Sequence, residues 1–426
     1  MIRVCINTQT PPIRPLRAGP GPPVWRLGVD YLPNVGGVVP MMRGLLRAGV
    51  GRWLAREPRW VALGDSSLPR EVRTDEGYRV ETFPLEEPAR SAYGVFKEAI
   101  WHSFHGPSPF RFPTEAYPGF VDYSYRAASA LLRWHIPVEL GGYPEPVRRF
   151  FLRSMEGFDA IVVSTRGGLE ELIRAGFQGR AYQVYPYLDP AEHRPASTAE
   201  TSALRSRLGL AGDAPVVLSV GRMDPVKRQD LLVGAFARLQ RKHPEARLLL
   251  VGGGSFSTRT LTARGRPSKA SAWEATLRRS IRERGLERSV VVAGALSADE
   301  LRAAYSLAQV FAHPAPWEGF GLVAVEAWCH RLPVVVSSGA GVSELVDDDV
   351  NGYTYPPGDV VALAERLGSL LDRPEAAARL GEVGALTARR CYVERAVPRL
   401  REIFQRTIGQ YEKAGLGRRR PPGGEP

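Results

Sequence analysis

Arg222 and Lys227 fall in Gly221-Arg222-Met223-Asp224-Pro225-Val226-Lys227, directly after the β-branched run 216–220. If that run is a strand, Arg222 leaves its tip and Lys227 lies where the next helix starts. Two cations beside a helix N-terminus form an anion site of the diphosphate kind. The plainer alternative is a pair of exposed loop cations. Against it, Lys227 is one of only five lysines in a chain that otherwise uses arginine, so a compact ammonium there is a specific choice. A second constellation is Pro316-Trp317-Glu318-Gly319-Phe320-Gly321-Leu322-Val323-Ala324-Val325-Glu326. Gly319 and Gly321 let the backbone approach a ligand at a helix start, with amide N–H groups aimed at an anion. A carboxylate accepts a hydrogen bond from each of two vicinal hydroxyls, which suits a ribose or a hexose. Glu318 and Glu326 flanking an amide-lined anion pocket therefore read as a clamp for a nucleotide-linked sugar. The alternative makes Glu318 a helix-dipole partner and Glu326 a surface residue. Yet Glu326 lies among Val323, Val325, Ala327 and Trp328, and a carboxylate in so apolar a helix needs a partner.

These residues require a scaffold that presents strand ends. Short apolar runs at 216–220, 247–251, 289–293, 310–313 and 333–337 alternate with helical patterns at 229–242, 273–285, 298–308 and from about 320. Ser297 with Glu300 three residues on is a capping box. Strands alternating with such helices mean a parallel sheet covered on both faces, and ligands of open α/β sheets bind at the carboxyl ends of the strands. The first half repeats the scheme less cleanly. Strands are expected at 2–6, 60–63, 78–83, 159–164 and 181–184, with helices at 37–48, 91–104, 120–134 and 166–175. The expected organisation is an N-terminal Rossmann-like domain over 1–188, a polar linker at 189–201 and a C-terminal Rossmann-like domain over 202–390. A helix at 391–413 follows, then a disordered tail at 414–426. The apolar stripe Val397, Leu400, Ile403, Phe404 and Ile408 predicts that the last helix crosses back onto the N-terminal domain.

Composition narrows the class. With 426 residues, 44% hydrophobic and 24% charged, the chain is an ordinary globular one with material for two cores. Cys5, Cys329 and Cys391 are too scattered for a disulfide scaffold or a zinc ribbon, which points to a reducing, cytoplasmic compartment. No apolar run reaches the ~20 residues of a membrane span. The scarcity of Asn, Met and Cys fits a heat-adapted protein and equally fits a biased genomic base composition. The net charge of +12 is concentrated at 255–284, where no RNA-binding or helix-turn-helix signature accompanies it. An anionic small molecule, rather than nucleic acid, is the expected partner.

The runs SVGRMDPVKRQDLLVGAF, LLLVGGGSF, EGFGLVAVEAW and GAGVSELVDDDVNGY resemble the retaining GT-B glycosyltransferases, of the group 1 or family 4 type, strongly over about 214–357. Glu318 and Glu326, with seven residues between them, match that group's glutamate pair. The resemblance implies two Rossmann-like domains facing a cleft, with a nucleotide-sugar donor bound between them and no metal or further cofactor. Arg222 and Lys227 would bind the donor diphosphate and Glu326 the ribose. Glu318 would touch the donor sugar, and the stretch Gly319, Phe320, Gly321 and Leu322, with Gly294 and Leu296, would line the donor site. Asn34-Val35-Gly36-Gly37-Val38 resembles the family's glycine loop, which places Gly36 and Gly37 over the donor phosphates. The stretch AIWHSFHG resembles trehalose-phosphate-synthase-type enzymes, with Trp101 on the acceptor side. His102 and His105 would line that side or pack beside Trp101, and His135 lies nearby in sequence. The implied reaction moves a hexose from a nucleotide sugar to a small hydroxyl acceptor such as a sugar or sugar phosphate. One departure matters: between 132 and 133 a strand, its histidine turn and a helix of the family pattern are absent. The alternative expectation is thus a nucleotide-sugar-binding protein that lost transferase activity.

Overall fold

The computed structural model describes four short strands within residues 24–84, then residues 160–210, 212–253, 269–316 and 318–413. The early strands are β1 (Val24–Trp25), β2 (Trp60–Gly64), β3 (Glu71–Thr74) and β4 (Arg79–Pro84), in the order β1-β3-β4-β2. The β3–β4 pair is antiparallel, while β2 runs parallel to β4. Neither β1 nor β3 is visible as an apolar run in the sequence; Glu-Val-Arg-Thr has too little apolar content. β5 (Ile161–Val163), α1 (Arg166–Arg174) and β6 (Ala181–Gln183) then form a βαβ unit with β5 and β6 parallel. The expected strand at 2–6, the helices at 37–48, 91–104 and 120–134, the absent unit after residue 132 and the tail lie outside the described residues.

The larger sheet has six strands. They are β7 (Val216–Val220), β8 (Arg247–Val251), β9 (Val290–Gly294), β10 (Val310–His313), β11 (Val334–Ser337) and β12 (Gly352–Tyr355). All are parallel, in the order β12-β11-β10-β7-β8-β9. Along β7 successive side chains serve opposite faces. Val216, Leu218 and Val220 join one core and Val217 the other, and all four are buried. That is why these strands read as continuous apolar runs rather than alternating ones. One face is covered by α2 (Thr198–Leu208), α5 (Ala298–Leu307) and α6 (Leu322–Cys329), through Leu204, Tyr305 and Trp328 among others. The other is covered by α3 (Gln229–Leu239), α4 (Lys269–Glu283), α7 (Val360–Asp372) and α8 (Pro374–Ala388).

The stretch expected as a linker carries structure. Pro190–His193 forms a 3-10 turn, and α2 begins at Thr198 behind a complete Ser197–Glu200 capping box. After α8 the chain returns to Leu188. Leu188 N donates to the Cys391 carbonyl at 3.0 Å, and Val393 N donates to the Leu188 carbonyl at 3.0 Å. There α9 (Val393–Lys413) begins, and its Ala396, Leu400 and Ile403 share one core with Val184, Tyr187 and Leu188. Val397 and Phe404 of the expected stripe flank that core.

Candidate functional site

In the large sheet the strand order reverses between β7 and β10, which are adjacent and parallel. The crevice outside two such carboxyl ends is where open α/β sheets place ligands. Both sequence constellations leave the sheet there, one from Val220 and the other from His313.

After β7 the chain makes a tight passage. Gly252, at φ +141°, would place a Cβ 1.9 Å from the Gly221 carbonyl oxygen, so the tips of β7 and β8 touch only because that residue is glycine. Arg222 follows, with its guanidinium 3.5 Å from the Asp224 carboxylate. Asp224 also accepts from Val226 N at 3.2 Å, capping the 3-10 turn Pro225–Lys227. Lys227 therefore stands on that turn, just before α3 rather than on its first residue. The buried Gln229 braces the passage: its amide donates to the Arg222 carbonyl at 2.7 Å and its oxygen accepts from Trp273 Nε1 at 2.9 Å.

The second constellation closes on the first. Lys227 Nζ donates to Glu318 Oε2, across 91 residues of sequence. Both side chains are nearly buried, at 17% and 18% exposure. Glu318 is fixed at its backbone, where Gly341 N donates to its carbonyl at 2.9 Å, and Val342 N donates to Phe320 at 2.7 Å. Gly341 is obligatory there, since a Cβ would meet the Gly319 carbonyl at 2.5 Å. Gly321 has φ +101° and opens α6, so this turn needs its glycine too. Below the pair lies His313 at the tip of β10, 3% exposed, with Nε2 3.8 Å from Glu318 Oε2. Burial pushes the imidazole pKa down to about 4. The Lys227 cation pushes the same way and the Glu318 carboxylate opposes it.

Glu326 stands one turn into α6, past the loop that carries Glu318, half-buried, and accepts from the Tyr305 hydroxyl at 2.8 Å. This is the partner its apolar surroundings demand. Gly294, at φ +71°, ends β9, and its carbonyl accepts from Gly252 N at 2.8 Å. Leu296 packs into the core at 1% exposure. Phe320 and Leu322 are likewise buried. The structure thus pairs Lys227 with Glu318 and sets Arg222 and the Gly319–Gly321 backbone on loops that leave the same end of the sheet. Gly36, Gly37, Trp101, His102, His105, His135 and Trp317 lie outside the described residues. Sequence reasoning missed His313, Gln229 and Tyr305. A histidine closing the strand that precedes the Glu318 loop was the available signal for the first.

A second contact joins the β5–α1 unit to the large sheet's loops. The amides of Arg166 (3.0 Å) and Gly167 (3.2 Å), at the N-terminus of α1, donate to the Glu344 carboxylate. Ser164 Oγ donates to the Gly319 carbonyl at 3.4 Å. The β5–α1 corner therefore rests on the loop that carries Glu318. The same carboxylate faces Tyr185. Burial, aided by that carboxylate, pushes the Tyr185 phenol up to about 12.

Residues 200–386 match the family model described as glycosyl transferases group 1. The chain is 32% identical over 383 residues to a GDP-mannose-dependent alpha-(1-6)-phosphatidylinositol monomannoside mannosyltransferase of Mycolicibacterium smegmatis, covering 83% of this chain and 91% of that one. It is 34% identical over 272 residues to a D-inositol 3-phosphate glycosyltransferase of Xylanimonas cellulosilytica, but spans only 61% of that protein's length. Among solved structures, sucrose-phosphate synthase from Thermosynechococcus elongatus matches with a TM-score of 0.64 at 20% identity, over 88% of this chain and 94% of that one. Anabaena HepE in complex with UDP-glucose matches with a TM-score of 0.62 at 19% identity, over 88% and 98%. Among the described residues no helix is long and apolar enough to cross a membrane.

Proposed function

The chain belongs to the group 1 glycosyl transferases, with their GT-B fold, and from that premise we propose that it moves a hexose from a nucleoside-diphosphate sugar to a hydroxyl acceptor with retention of configuration. The observation that carries the reading is the pairing of Lys227 with Glu318 beside Arg222 at the reversal point of the large sheet. A diphosphate there meets two cations and the amides at the start of α6. These are the groups that stabilise the charge developing on a departing diphosphate. Lys227 is then shared: Glu318 holds it in the free protein, and donor phosphate competes for it.

In this reading Glu326 takes the ribose and Glu318 the transferred sugar. Glu318 is engaged by Lys227 and set above a buried histidine, an arrangement that favours sugar contact over covalent attack. The acceptor hydroxyl approaches from the face the diphosphate leaves. The C1–oxygen bond to phosphate breaks, the new glycosidic bond forms, and the acceptor proton passes to the departing phosphate oxygen. Arg222 and Lys227 supply the positive charge, so no metal is required. Exclusion of water from the crevice protects the donor from hydrolysis.

The relatives' names place inositol phosphate and an inositol lipid among acceptors of this group. We extend the expected sugar or sugar-phosphate acceptor to a small polyol phosphate of that kind. We further take the chain as two Rossmann-like domains divided near 189–201. Unpaired Cys329 and Cys391 support a cytoplasmic location. The test incubates the protein with UDP- and GDP-hexoses, with and without inositol phosphate or glucose 6-phosphate. It scores released nucleoside diphosphate and the anomeric configuration of the product. Acceptor-dependent release with a retained anomer supports the proposal; no release from any donor, or inversion, refutes it.

A further inference from the structure

Behind Glu326 lies a buried relay of polar side chains that the transfer chemistry leaves unused. Tyr305, on α5, is 1% exposed, and its hydroxyl lies 2.8 Å from Glu326 Oε2 and 3.3 Å from the Val323 carbonyl. A carboxylate has no proton to give, so the phenol is the donor. Burial, with the Glu326 charge beside it, holds its pKa well above the ordinary value, so it stays a donor at any working pH. Burying a hydroxyl without a partner is costly, so the carboxylate and the phenol stabilise each other's placement. The phenol ring is itself fixed. It stacks on His330 with centroids 5.2 Å apart and planes 16° from parallel, and it packs against Phe311 at 5.9 Å. His330 Nδ1 is 3.1 Å from Ser306 Oγ, which accepts from Ala196 N at 2.8 Å.

We propose that Tyr305 is a positioning residue for recognition of the nucleotide ribose: it holds one oxygen of Glu326 and fixes that carboxylate so that its second oxygen receives the ribose hydroxyls. Ser306 and His330 act one step further back by fixing the ring. The proposal rests on the reading of Glu326 as the ribose ligand. The geometry adds which residue makes that ligand specific. A carboxylate on a rotatable side chain pairs with two vicinal hydroxyls only when its own torsions are already set, and the phenol sets them from the buried side.

The test measures discrimination rather than activity. Binding of UDP and GDP and of their 2′,3′-dideoxy counterparts is titrated calorimetrically to the full chain and to Tyr305→Phe, Glu326→Gln and the double variant. The phenylalanine keeps the ring and its stack on His330 and removes one oxygen. The wild type is expected to prefer the ribonucleotide by at least ~10-fold, the size of lost hydrogen bonds to a charged group. Both single variants should reduce that preference to less than ~3-fold, with the double variant no worse than Glu326→Gln alone. A Tyr305→Phe variant that keeps the full preference while Glu326→Gln loses it overturns the positioning role and leaves the ribose reading intact. A Glu326→Gln variant that keeps the preference, or a wild type that binds neither nucleotide, overturns the ribose reading itself. If Tyr305→Phe fails to fold, Ser306→Ala replaces it. That variant frees His330 and should lower the preference several-fold, and an unchanged preference again overturns the proposal.

Discussion

Replacing Lys227 with methionine should raise the pKa of His313. The imidazole is buried and titrates at about 4, with burial the main cause, Lys227 pushing the same way and Glu318 pulling up. Methionine keeps the length of the side chain and removes its charge. Nε2 lies 3.8 Å from the carboxylate oxygen that Lys227 also contacts. The two cations are thus separated by no more than a hydrogen-bond length plus that distance, roughly 7 Å. At an effective dielectric of about 20, two unit charges about 7 Å apart interact by about 2.4 kcal/mol, and about 1.4 kcal/mol moves a pKa by one. Solvent reaches 17–18% of the Lys227 and Glu318 side chains and screens part of this repulsion. The expected rise is therefore ~1–2 pH units, from about 4 to between ~5 and ~6, with burial still holding the ring below its free value. The assay is a titration of 13C-labelled histidine by NMR, with His313 assigned among the seven histidines from the spectrum of His313→Gln. A midpoint unmoved by Lys227→Met, or a wild-type midpoint near 6.5, would refute the coupling of Lys227, Glu318 and His313 in one cluster.

Arg222→Ala should lower turnover by at least ~100-fold, the size of losing one preorganised charge-stabilising donor. Its circular-dichroism spectrum should remain native, and wild-type turnover would exclude Arg222 from the diphosphate site. The folded protein should also lose stability in mild acid. His313 and His330 titrate at about 4 and about 3 when folded and near 6.5 when unfolded, so below pH 6.5 the unfolded chain binds more protons. Each histidine removes up to ~1.4 kcal/mol per pH unit as pH falls from 6.5 toward its folded pKa. Urea midpoints at pH 7 and pH 4.5 should differ accordingly, and a His313→Gln variant with an undiminished difference would contradict this. Glu344→Ala leaves the first amides of α1 without their acceptor and should cost ~1 kcal/mol, as the loss of a helix cap does. Hydrogen exchange at Arg166 and Gly167 should accelerate, and unchanged protection there would show that the carboxylate does not hold the helix.

The large sheet was legible because both its faces are covered. Val216–Val220 and Val334–Ser337 are apolar at every position but one, and glycine or a capping box such as Ser297–Glu300 marks the neighbouring boundaries. β3 escaped because Glu71–Thr74 is half charged and pairs antiparallel with β4, outside any strand–helix–strand rhythm. The helix α2 hid in a polar stretch because it buries only Leu204. At the site, Arg222, Lys227 and Glu318 declared themselves as charges at turns. His313, Gln229 and Tyr305 did not, because their roles arise from burial and from partners far along the chain. Tyr305 meets Glu326 across 21 residues and Gln229 meets Trp273 across 44, distances that only the fold closes.

The central claim is that a nucleoside diphosphate binds at the reversal point of the large sheet, and a crystal structure of the protein with UDP or GDP tests it most directly. The account predicts the diphosphate against Arg222 and Lys227, with Lys227 drawn off Glu318, and the ribose hydroxyls on Glu326. A nucleotide bound elsewhere, or one whose ribose lies away from Glu326 while Lys227 stays on Glu318, would contradict it.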